Sequence, residues 1–125
     1  MPLLPESVSK AWNNRKGPVI FATVDKTGLP NIIYVSCVIN FDENRIIVAD
    51  NYFDKTRKNI LSGCKGSILF ITNDDKAFQM KGVVEYHREG KIFENMKTWN
   101  PTEHPGHAAA VLKVEAVYSG AEKLL

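Results

Sequence analysis

Short runs of β-branched and aromatic residues, each bounded by turn-forming residues, constrain the fold of this chain most. Such runs are typical of hairpin-linked strands, because Val, Ile, Phe and Tyr suit a half-buried pleated surface while Gly, Asp and Asn favour turns. The predicted strands cover residues 19–24, 31–39, 45–49, 66–72, 77–87 and 108–119. The turn sequences DKTG and DEN separate the first three, so we expect those strands to form an antiparallel meander.

Three short helices are predicted around these strands, at residues 5–14, 55–62 and 88–100. Asp54 is a suitable N-cap for the second helix, and Gly82 marks a bulge or a close backbone approach in the fifth strand. The helical positions expected to face the core are Val8, Ala11, Trp12, Ile60, Leu61, Ile92, Phe93, Met96 and Trp99. The positions expected to share one face of the last strand are Leu112, Val114, Ala116 and Tyr118.

Six hairpin-linked strands are most simply arranged as a small barrel, because closing the sheet removes its exposed edges. The chain has 125 residues, of which 44% are hydrophobic and 24% charged, and these values are ordinary for one globular domain. We therefore expect residues 1–125 to form a single, mainly β domain, a six-stranded antiparallel barrel with short peripheral helices.

Charge and cysteine content narrow the function classes. A net charge of +2 gives little support to nucleic-acid binding, although a barrel that binds single strands is retained as a minor alternative. Cys37 and Cys64 form no pairing framework, so we expect small core thiols in a reducing compartment. The start, MPLLPESVSKAW, does not fit a signal peptide and no segment has the length of a membrane span, which predicts a cytoplasmic protein.

The stretch NYFDKTRKNI, residues 51–60, collects three cations where a strand gives way to a helix. Cations are mildly unfavourable at a helix start, but a bound anion reverses that effect. One interpretation is a phosphate site formed by Lys55, Thr56 and free backbone N–H groups. The other is a solvated surface helix whose cations pair with Asp54 and Asp50. On the second interpretation all three cations, Arg57 and Lys58 among them, are solvated side chains.

The sequence resembles the FMN-binding split-barrel proteins related to pyridoxamine 5'-phosphate oxidase, over roughly residues 15–125. The resemblance is carried by the segments ATVDKTGLPNIIYVS, NRIIVADNYFDKTRKNI, FQMKG and VLKVEAVYSG. It implies a split β-barrel of Greek-key type, a homodimer with FMN in a groove between subunits, and a Lys-Thr pair that holds the FMN phosphate. The implied function is a flavin-dependent oxidoreductase or electron carrier of unknown substrate, with a redox partner or a nicotinamide cofactor as electron donor.

The resemblance also implies which residues hold the cofactor. Those positions are Ile33, Tyr34, Val35 and Ser36 along the ring and ribityl chain, the backbone of Asp50 and Asn51 at the polar edge of the ring, Lys55 and Thr56 at the phosphate, Gln79 and Lys81 beside phosphate or ring, and Trp99 and Leu125 over the flavin of the partner subunit.

The sequence departs from the full-length oxidases at its C-terminus. Those enzymes carry an arginine–histidine substrate motif there, and YSGAEKLL contains neither residue. Pyridoxamine 5'-phosphate is therefore not the expected substrate, and the chain is similar to the minimal, flavin-only members. Haem or a deazaflavin in the same groove is the alternative.

His104 and His107 lie in the loop sequence HPGH. A structural zinc site needs four ligands and no cysteine is near, so we expect no metal. The histidines are interpreted either as exposed loop residues or, for one of them, as a neighbour of the flavin that handles protons near neutral pH. The sequence assigns no catalytic residue.

Overall fold

The computed structural model describes residues 4–125, so the predictions that involve residues 1–3 lie outside the described part. The helices are α1 (Glu6–Asn13), α2 (Lys55–Leu61) and α3 (Lys91–Trp99). The strands are β1 (Val19–Val24), β2 (Pro30–Val35), β3 (Val38–Asn40), β4 (Arg45–Asp50), β5 (Lys65–Ile71), β6 (Ala77–His87), β7 (Ala108–Ser119) and β8 (Glu122–Lys123). They form one curled antiparallel sheet, which confirms the mainly β fold but with more strands than the six predicted.

The predicted strand over residues 31–39 is broken at Ser36 and Cys37. Its first part, β2, pairs with β1, and its second part, β3, pairs with β4. The strand order is β2-β1-β5-β6-β7-β4-β3, with β8 on β7, so the two parts occupy opposite ends of that order. The predicted antiparallel pairing of the middle segment with the strands before and after it is confirmed, but the middle segment is two strands rather than one, so the three do not form a single meander. Residues 36–37, which we call the seam, connect the two ends of the curled sheet.

The main core lies inside the curl. Alternate residues of β1 point inward, and Val19 and Phe21 are almost fully buried there. Helix α1 closes one side, with the Trp12 ring edge-on to Phe70 at a centroid distance of 5.2 Å. Val8, Ala11 and Trp12 are buried as predicted, because their helical spacing places them on one face.

A second apolar layer lies outside β4 and β7, between these strands and α3. Ile47 and Val111 on the strands and Met96 on the helix are fully buried in this layer. Ile92, Phe93 and Trp99 pack against it, which confirms the predicted face of α3. Strands β4 and β7 are consequently covered on both sides.

Gly82 lies where two backbones approach closely. A Cβ atom at this position would lie 1.8 Å from the carbonyl oxygen of Lys113, so a side chain cannot be accommodated without moving β7. The pairing register changes between Lys81 and Gly82, as the predicted bulge requires. Beyond the bulge Val117 is the fully buried residue of β7, so the predicted common face through Ala116 and Tyr118 is wrong there.

Two predictions for the helix α2 also need correction. Ile60 is buried, but Leu61 is 53% exposed because it lies on the outer side of this short helix. Asp54 occupies the N-cap position without a side-chain capping hydrogen bond, and its carboxylate instead lies 3.8 Å from the ammonium group of Lys58.

Candidate functional site

The connection between β4 and α2 is organised around the carboxylate of Asp50, the last residue of β4. Arg57 donates two hydrogen bonds to it, from Nε to Oδ2 at 2.7 Å and from Nη2 to Oδ1 at 2.9 Å. The backbone N–H of Phe53 donates to Oδ1 at 3.1 Å, and the Tyr86 hydroxyl donates to Oδ2. The pairing of Arg57 with Asp50 agrees with the second interpretation of the cationic stretch. The Asp50 side chain is fully buried and Arg57 is 32% exposed, so Arg57 is not the solvated residue that was predicted.

These contacts set the protonation states of the group. Burial alone raises the pKa of the Asp50 carboxyl, but the hydrogen bonds from Arg57 and Tyr86 outweigh burial and hold the pKa below its ordinary value. The hydrogen bonds to Asp50 raise the pKa of the Arg57 guanidinium. Burial and the neighbouring carboxylate raise the pKa of Tyr86. At neutral pH the group is therefore a carboxylate, a guanidinium and a neutral phenol.

Lys55 and Thr56 lie in the first turn of α2, beside this group. Lys55 is exposed, whereas Thr56 is buried and its hydroxyl oxygen accepts a hydrogen bond of 2.9 Å from the Asn31 amide. A hydroxyl has one hydrogen in addition to its acceptor lone pairs, so Thr56 retains the capacity to donate. Lys58 is 78% exposed, as predicted for the solvent side of the helix.

A cavity of about 270 Å³, which we call the seam pocket, lies against residues 36–37. Its lining residues come from both ends of the curled sheet and from two loops: Ile33, Tyr34, Val35, Ser36, Cys37, Ala49, Asn51, Tyr52, Phe53 and His104. The seam creates this cavity because neither β2 nor β3 continues through it. The structure thus brings together the predicted positions Ile33, Tyr34, Val35, Ser36 and Asn51.

The inner face of β2 connects the seam pocket to Thr56. Ile33 and Val35 line the pocket, and Asn31, two residues earlier on the same face, bonds to Thr56. Residues 31 to 35 of a strand span about 13 Å. One strand face therefore leads from an apolar pocket to a threonine hydroxyl and an adjacent lysine.

Gln79 and Lys81 lie on the other side of the sheet within this chain. Strand pairing aligns Tyr34, Ile20, Leu69 and Gln79 in one cross-strand row, and Ile32, Ala22, Ser67 and Lys81 in the next. These rows form what we call the outer face. Gln79 and Lys81 line a separate cavity on it, of about 470 Å³. Within one chain the structure does not bring them to the seam pocket.

Asn51 is held by a reciprocal amide pair that no sequence pattern predicted. Its Nδ2 donates to Asn100 Oδ1 at 3.0 Å, and Asn100 Nδ2 donates back to Asn51 Oδ1 at 2.9 Å. The N–H of Gly106 also donates to Asn51 Oδ1 at 3.0 Å. Gly106 has a φ of 52°, and a Cβ atom there would lie 2.9 Å from Lys97 Nζ and 3.0 Å from Asn100 Nδ2. The loop over residues 101–107 is thereby fixed to the β4–α2 connection.

Backbone groups of Asp50 and Asn51, predicted to meet the ring's polar edge, already have partners within the chain. The Asp50 carbonyl accepts from the N–H of His107 at 2.8 Å, and the Asn51 N–H donates to the carbonyl of Ala49 at 3.1 Å. A carbonyl oxygen has a second lone pair, so a further hydrogen bond to Asp50 is possible.

The loop over residues 101–107 places His104 at the pocket. Its Nδ1 lies 3.1 Å from the Tyr52 hydroxyl, and the two rings meet edge to face at 5.5 Å. His104 is thus a pocket residue, while His107 is exposed. No group of three or more His, Cys, Asp or Glu side chains arranged to hold a metal occurs within residues 4–125. Cys37 and Cys64 are free thiols and both are half-buried.

Trp99 and Leu125 lie away from the seam pocket of their own chain. The Trp99 ring packs in the layer under α3, and its Nε1 donates to Asn95 Oδ1 at 3.0 Å. Leu125 packs on the main core and its backbone pairs with Val117.

Several residues in and around the site were not predicted, among them Cys37, Ala49, Tyr52 and Phe53 in the pocket, and Asn31, Asn100 and Tyr86 beside it. Asn31 was available from alternation, because it shares the face of Ile33. Tyr52 lies within the cationic stretch, but nothing in the spacing marked its ring as part of a pocket. Asn100 and Tyr86 are distant in sequence from their partners, so only the tertiary fold identifies them.

The chain matches known proteins over most of its length. The family model described as pyridoxamine 5'-phosphate oxidase matches residues 6–120. An uncharacterised protein of Methanocaldococcus jannaschii is 33% identical over 122 residues, which cover 93% of this chain and 80% of that protein. HupZ of Group A Streptococcus superposes with a TM-score of 0.80 at 26% identity, covering 94% of each chain. An FMN-binding protein from Syntrophomonas wolfei superposes with a TM-score of 0.74 at 23% identity, covering 94% of this chain and 97% of that one.

A curled antiparallel sheet whose two ends are joined by a short seam, with a pocket at that seam, defines a split β-barrel. The chain belongs to the pyridoxamine 5'-phosphate oxidase family, which confirms the resemblance read from the sequence. No helix within residues 4–125 is long and apolar enough to cross a membrane.

Proposed function

We propose that this chain binds FMN, with the ring in the seam pocket and the phosphate at Lys55 and Thr56, and acts as a homodimeric flavin-dependent oxidoreductase or electron carrier. The observation that carries the proposal is the continuous inner face of β2, from Val35 and Ile33 in the pocket to Asn31 against Thr56. The family assignment and the FMN-binding protein of similar fold support the choice of cofactor.

The residues of the pocket fit a flavin ring. Ile33, Val35 and Phe53 supply apolar walls, and Ser36 and His104 supply polar groups, which is the usual composition of a cofactor site. A cavity of about 270 Å³ is at the small end of ligand pockets, so it suits a ring system but not a whole nucleotide. The ribityl chain and phosphate would then follow β2 toward Thr56.

The bound flavin supplies the redox chemistry, and the protein supplies binding and orientation. Lys55 contributes a charge to the phosphate and Thr56 a hydroxyl donor, while Asn31 fixes that hydroxyl from the other side. Tyr52 and His104 cover one edge of the pocket and limit water at the ring. A reduced nicotinamide cofactor is the electron donor to test first.

The absorption spectrum of the purified protein, followed by titration with FMN, tests the cofactor. We expect flavin bands, or uptake of added FMN by a colourless preparation. A protein that takes up no FMN contradicts the proposal, and a Soret band indicates haem instead.

The phosphate assignment is tested by the double variant Lys55→Met with Thr56→Ala. Loss of two contacts to a charged acceptor should weaken FMN binding by about 2–4 kcal/mol and riboflavin binding much less, because riboflavin has no phosphate. Fluorescence titration of both ligands measures the difference. Lys58→Met is the matched control, since Lys58 belongs to the same helix but its ammonium group lies 3.8 Å from the Asp54 carboxylate and its side chain is 78% exposed. Equal losses for both ligands contradict the assignment.

The homodimer is proposed from the outer face. Ile32 and Tyr34 are 65% and 73% exposed there, beside Leu69 and Ile71, and a patch of this kind marks an interaction surface. Gln79 and Lys81 lie on this same face, so their proposed role is to approach the flavin of the partner subunit rather than that of their own chain. Trp99 and Leu125 remain proposed contacts to the partner's flavin.

Light scattering after size-exclusion chromatography tests the dimer with two matched variants. Ile32→Glu places a charge on the outer face, whereas Leu29→Glu places one at 66% exposure in the turn between β1 and β2. We expect a two-chain mass for the unmodified protein and for Leu29→Glu, and a one-chain mass for Ile32→Glu. A single-chain mass for the unmodified protein contradicts the proposal.

A further inference from the structure

The Asp50 carboxylate, with Arg57 and Tyr86, forms a group that we call the carboxylate cluster. Asp50 is the one charged residue that is buried within residues 4–125. The cluster joins three elements, because Asp50 ends β4, Arg57 lies in α2 and Tyr86 lies in β6. None of its three residues lines the seam pocket.

Stability alone does not account for such a cluster. Removing the Asp50 carboxylate fully from water, with the Arg57 side chain only 32% exposed, is costly, and well-packed apolar residues of similar volume often stabilise a fold equally well. Apolar residues in its place, however, would not fix the relative orientation of the elements that they join. A bidentate guanidinium–carboxylate contact does, because both hydrogen bonds form at only one relative orientation.

The cluster spans the residues proposed to hold the phosphate. Asp50 and Arg57 lie at the two ends of the segment over residues 51–56, and the Phe53 N–H bonds to the same carboxylate from within it. Thr56 directly precedes Arg57, so the orientation of Arg57 fixes the first turn of α2 relative to β4. Asn31 then sets the distance from that turn to β2.

We propose that the carboxylate cluster positions Lys55 and Thr56 for a phosphate, so that Arg57 and Tyr86 act on phosphate binding without touching it. This inference rests on the proposed function, since it assumes that FMN binds with its phosphate at these two residues. Arg57 and Tyr86 are then positioning residues, and their effect is specific to the phosphate end of the ligand.

The test compares FMN with riboflavin in Tyr86→Phe and Arg57→Lys. The first removes one hydroxyl group, and the second keeps the charge but loses the bidentate contact. We expect the dissociation constant of FMN to rise about 10-fold in each, and that of riboflavin to change less than about 3-fold. Lys58→Met is again the control and should leave both constants unchanged. Thermal midpoints show whether each variant is folded at the assay temperature, and Tyr86→Phe serves alone if Arg57→Lys does not fold.

The ratio of the two affinities decides the outcome, because a general loss of structure weakens both ligands together. Parallel losses for FMN and riboflavin, or an unchanged ratio, overturn the inference. The double variant at Lys55 and Thr56 separates the two proposals. If it abolishes the preference for FMN while Tyr86→Phe and Arg57→Lys keep it, the positioning role fails and the phosphate site stands. If the unmodified protein shows no preference for FMN, the phosphate site fails and the inference with it.

Discussion

Two aspartate–arginine pairs occupy different surroundings in this barrel. In the turn between β3 and β4, Arg45 donates from Nε and Nη2 to Asp42, and the side chains are 29% and 33% exposed. At the end of β4, Arg57 makes its two bonds to Asp50, whose side chain is fully buried. The chemical groups are the same and the two arginine side chains are similarly exposed, 29% for Arg45 and 32% for Arg57. The difference lies in the aspartates, because Asp42 is 33% exposed and Asp50 is fully buried.

The difference shows what burial adds to an ion pair. Asp42 also accepts the backbone N–H groups of Asn44 and Arg45, so its contacts are local and stabilise one tight turn. Asp50 collects partners from a loop, a helix and a distant strand. A partly exposed pair of this kind contributes little, whereas removal of a fully buried carboxylate leaves its hydrogen-bond donors without a partner. The first pair stabilises one turn, whereas the second holds β4, α2 and β6 together.

Replacing each aspartate by alanine should give the largest difference in unfolding free energy between the two pairs. We expect Asp50→Ala to lower the free energy of unfolding by about 3–5 kcal/mol, because the Arg57 guanidinium and the Tyr86 hydroxyl lose their shared partner. Asp42→Ala should cost about 1 kcal/mol, from an exposed pair and a turn. Urea unfolding of both variants measures the difference, and similar losses would show that burial does not distinguish the pairs.

The two pairs should also differ in how much stability the protein loses at acid pH when each aspartate is replaced. The pKa values of Asp50 and Asp42 are both lowered in the folded protein, in each case because hydrogen bonds from arginine outweigh burial. A lowered pKa means that the stabilisation is fully present above the unfolded-state value of about 3.9 and is lost as pH falls through the folded-state value. Asp50→Asn should therefore flatten the acid limb of a stability curve more than Asp42→Asn. Melting temperatures from neutral pH to about pH 2 provide the measurement; a steeper limb in Asp50→Asn is the contrary result.

Arginine-to-lysine substitutions should give the smallest difference in unfolding free energy between the two pairs. Arg57→Lys retains the charge but not the bidentate contact, and we expect a loss of about 1–2 kcal/mol. Arg45→Lys should cost less than about 0.5 kcal/mol, because the pair is exposed and the lysine ammonium can still approach Asp42. Chemical unfolding in parallel compares them, and a larger loss at Arg45 would reverse the comparison.

The sequence predicted the elements well where the signal is local. The β-branched run of β1 and the long alternating strands β6 and β7 have their predicted bounds, because turns or a proline-rich loop mark their ends. The seam was missed because YVSCV continues the β-forming run through Ser36 and Cys37. The break at residues 36–37 arises because β2 pairs with β1 and β3 pairs with β4 at the other end of the sheet. A local sequence pattern contains no information about that pairing.

The candidate site was predictable only in part for the same reason. Ile33 and Val35 were placed on one face by alternation, and both line the pocket. A pairing of the cations with Asp50 was considered from the sequence, but Arg57 was still assigned to solvent. The burial of Asp50 and its contact with Tyr86, which is 36 residues away, could not be seen in the local pattern. Gln79 and Lys81 alternate with buried residues, as predicted. The sequence pattern does not show on which side of the sheet a ligand binds, because that depends on the tertiary fold.

The strand order also has a consequence for how the chain folds. The hairpins β1–β2 and β3–β4 close locally, and so does β5–β6, but β1 must find β5 and β4 must find β7 across whole intervening elements. Non-local pairing of this kind slows folding to the range of milliseconds to seconds, since loop-closure entropy is lost before contacts compensate it. We expect the two N-terminal hairpins to form early and to dock late on opposite sides of the β5–β6–β7 unit, with residues 36–37 as the hinge between them.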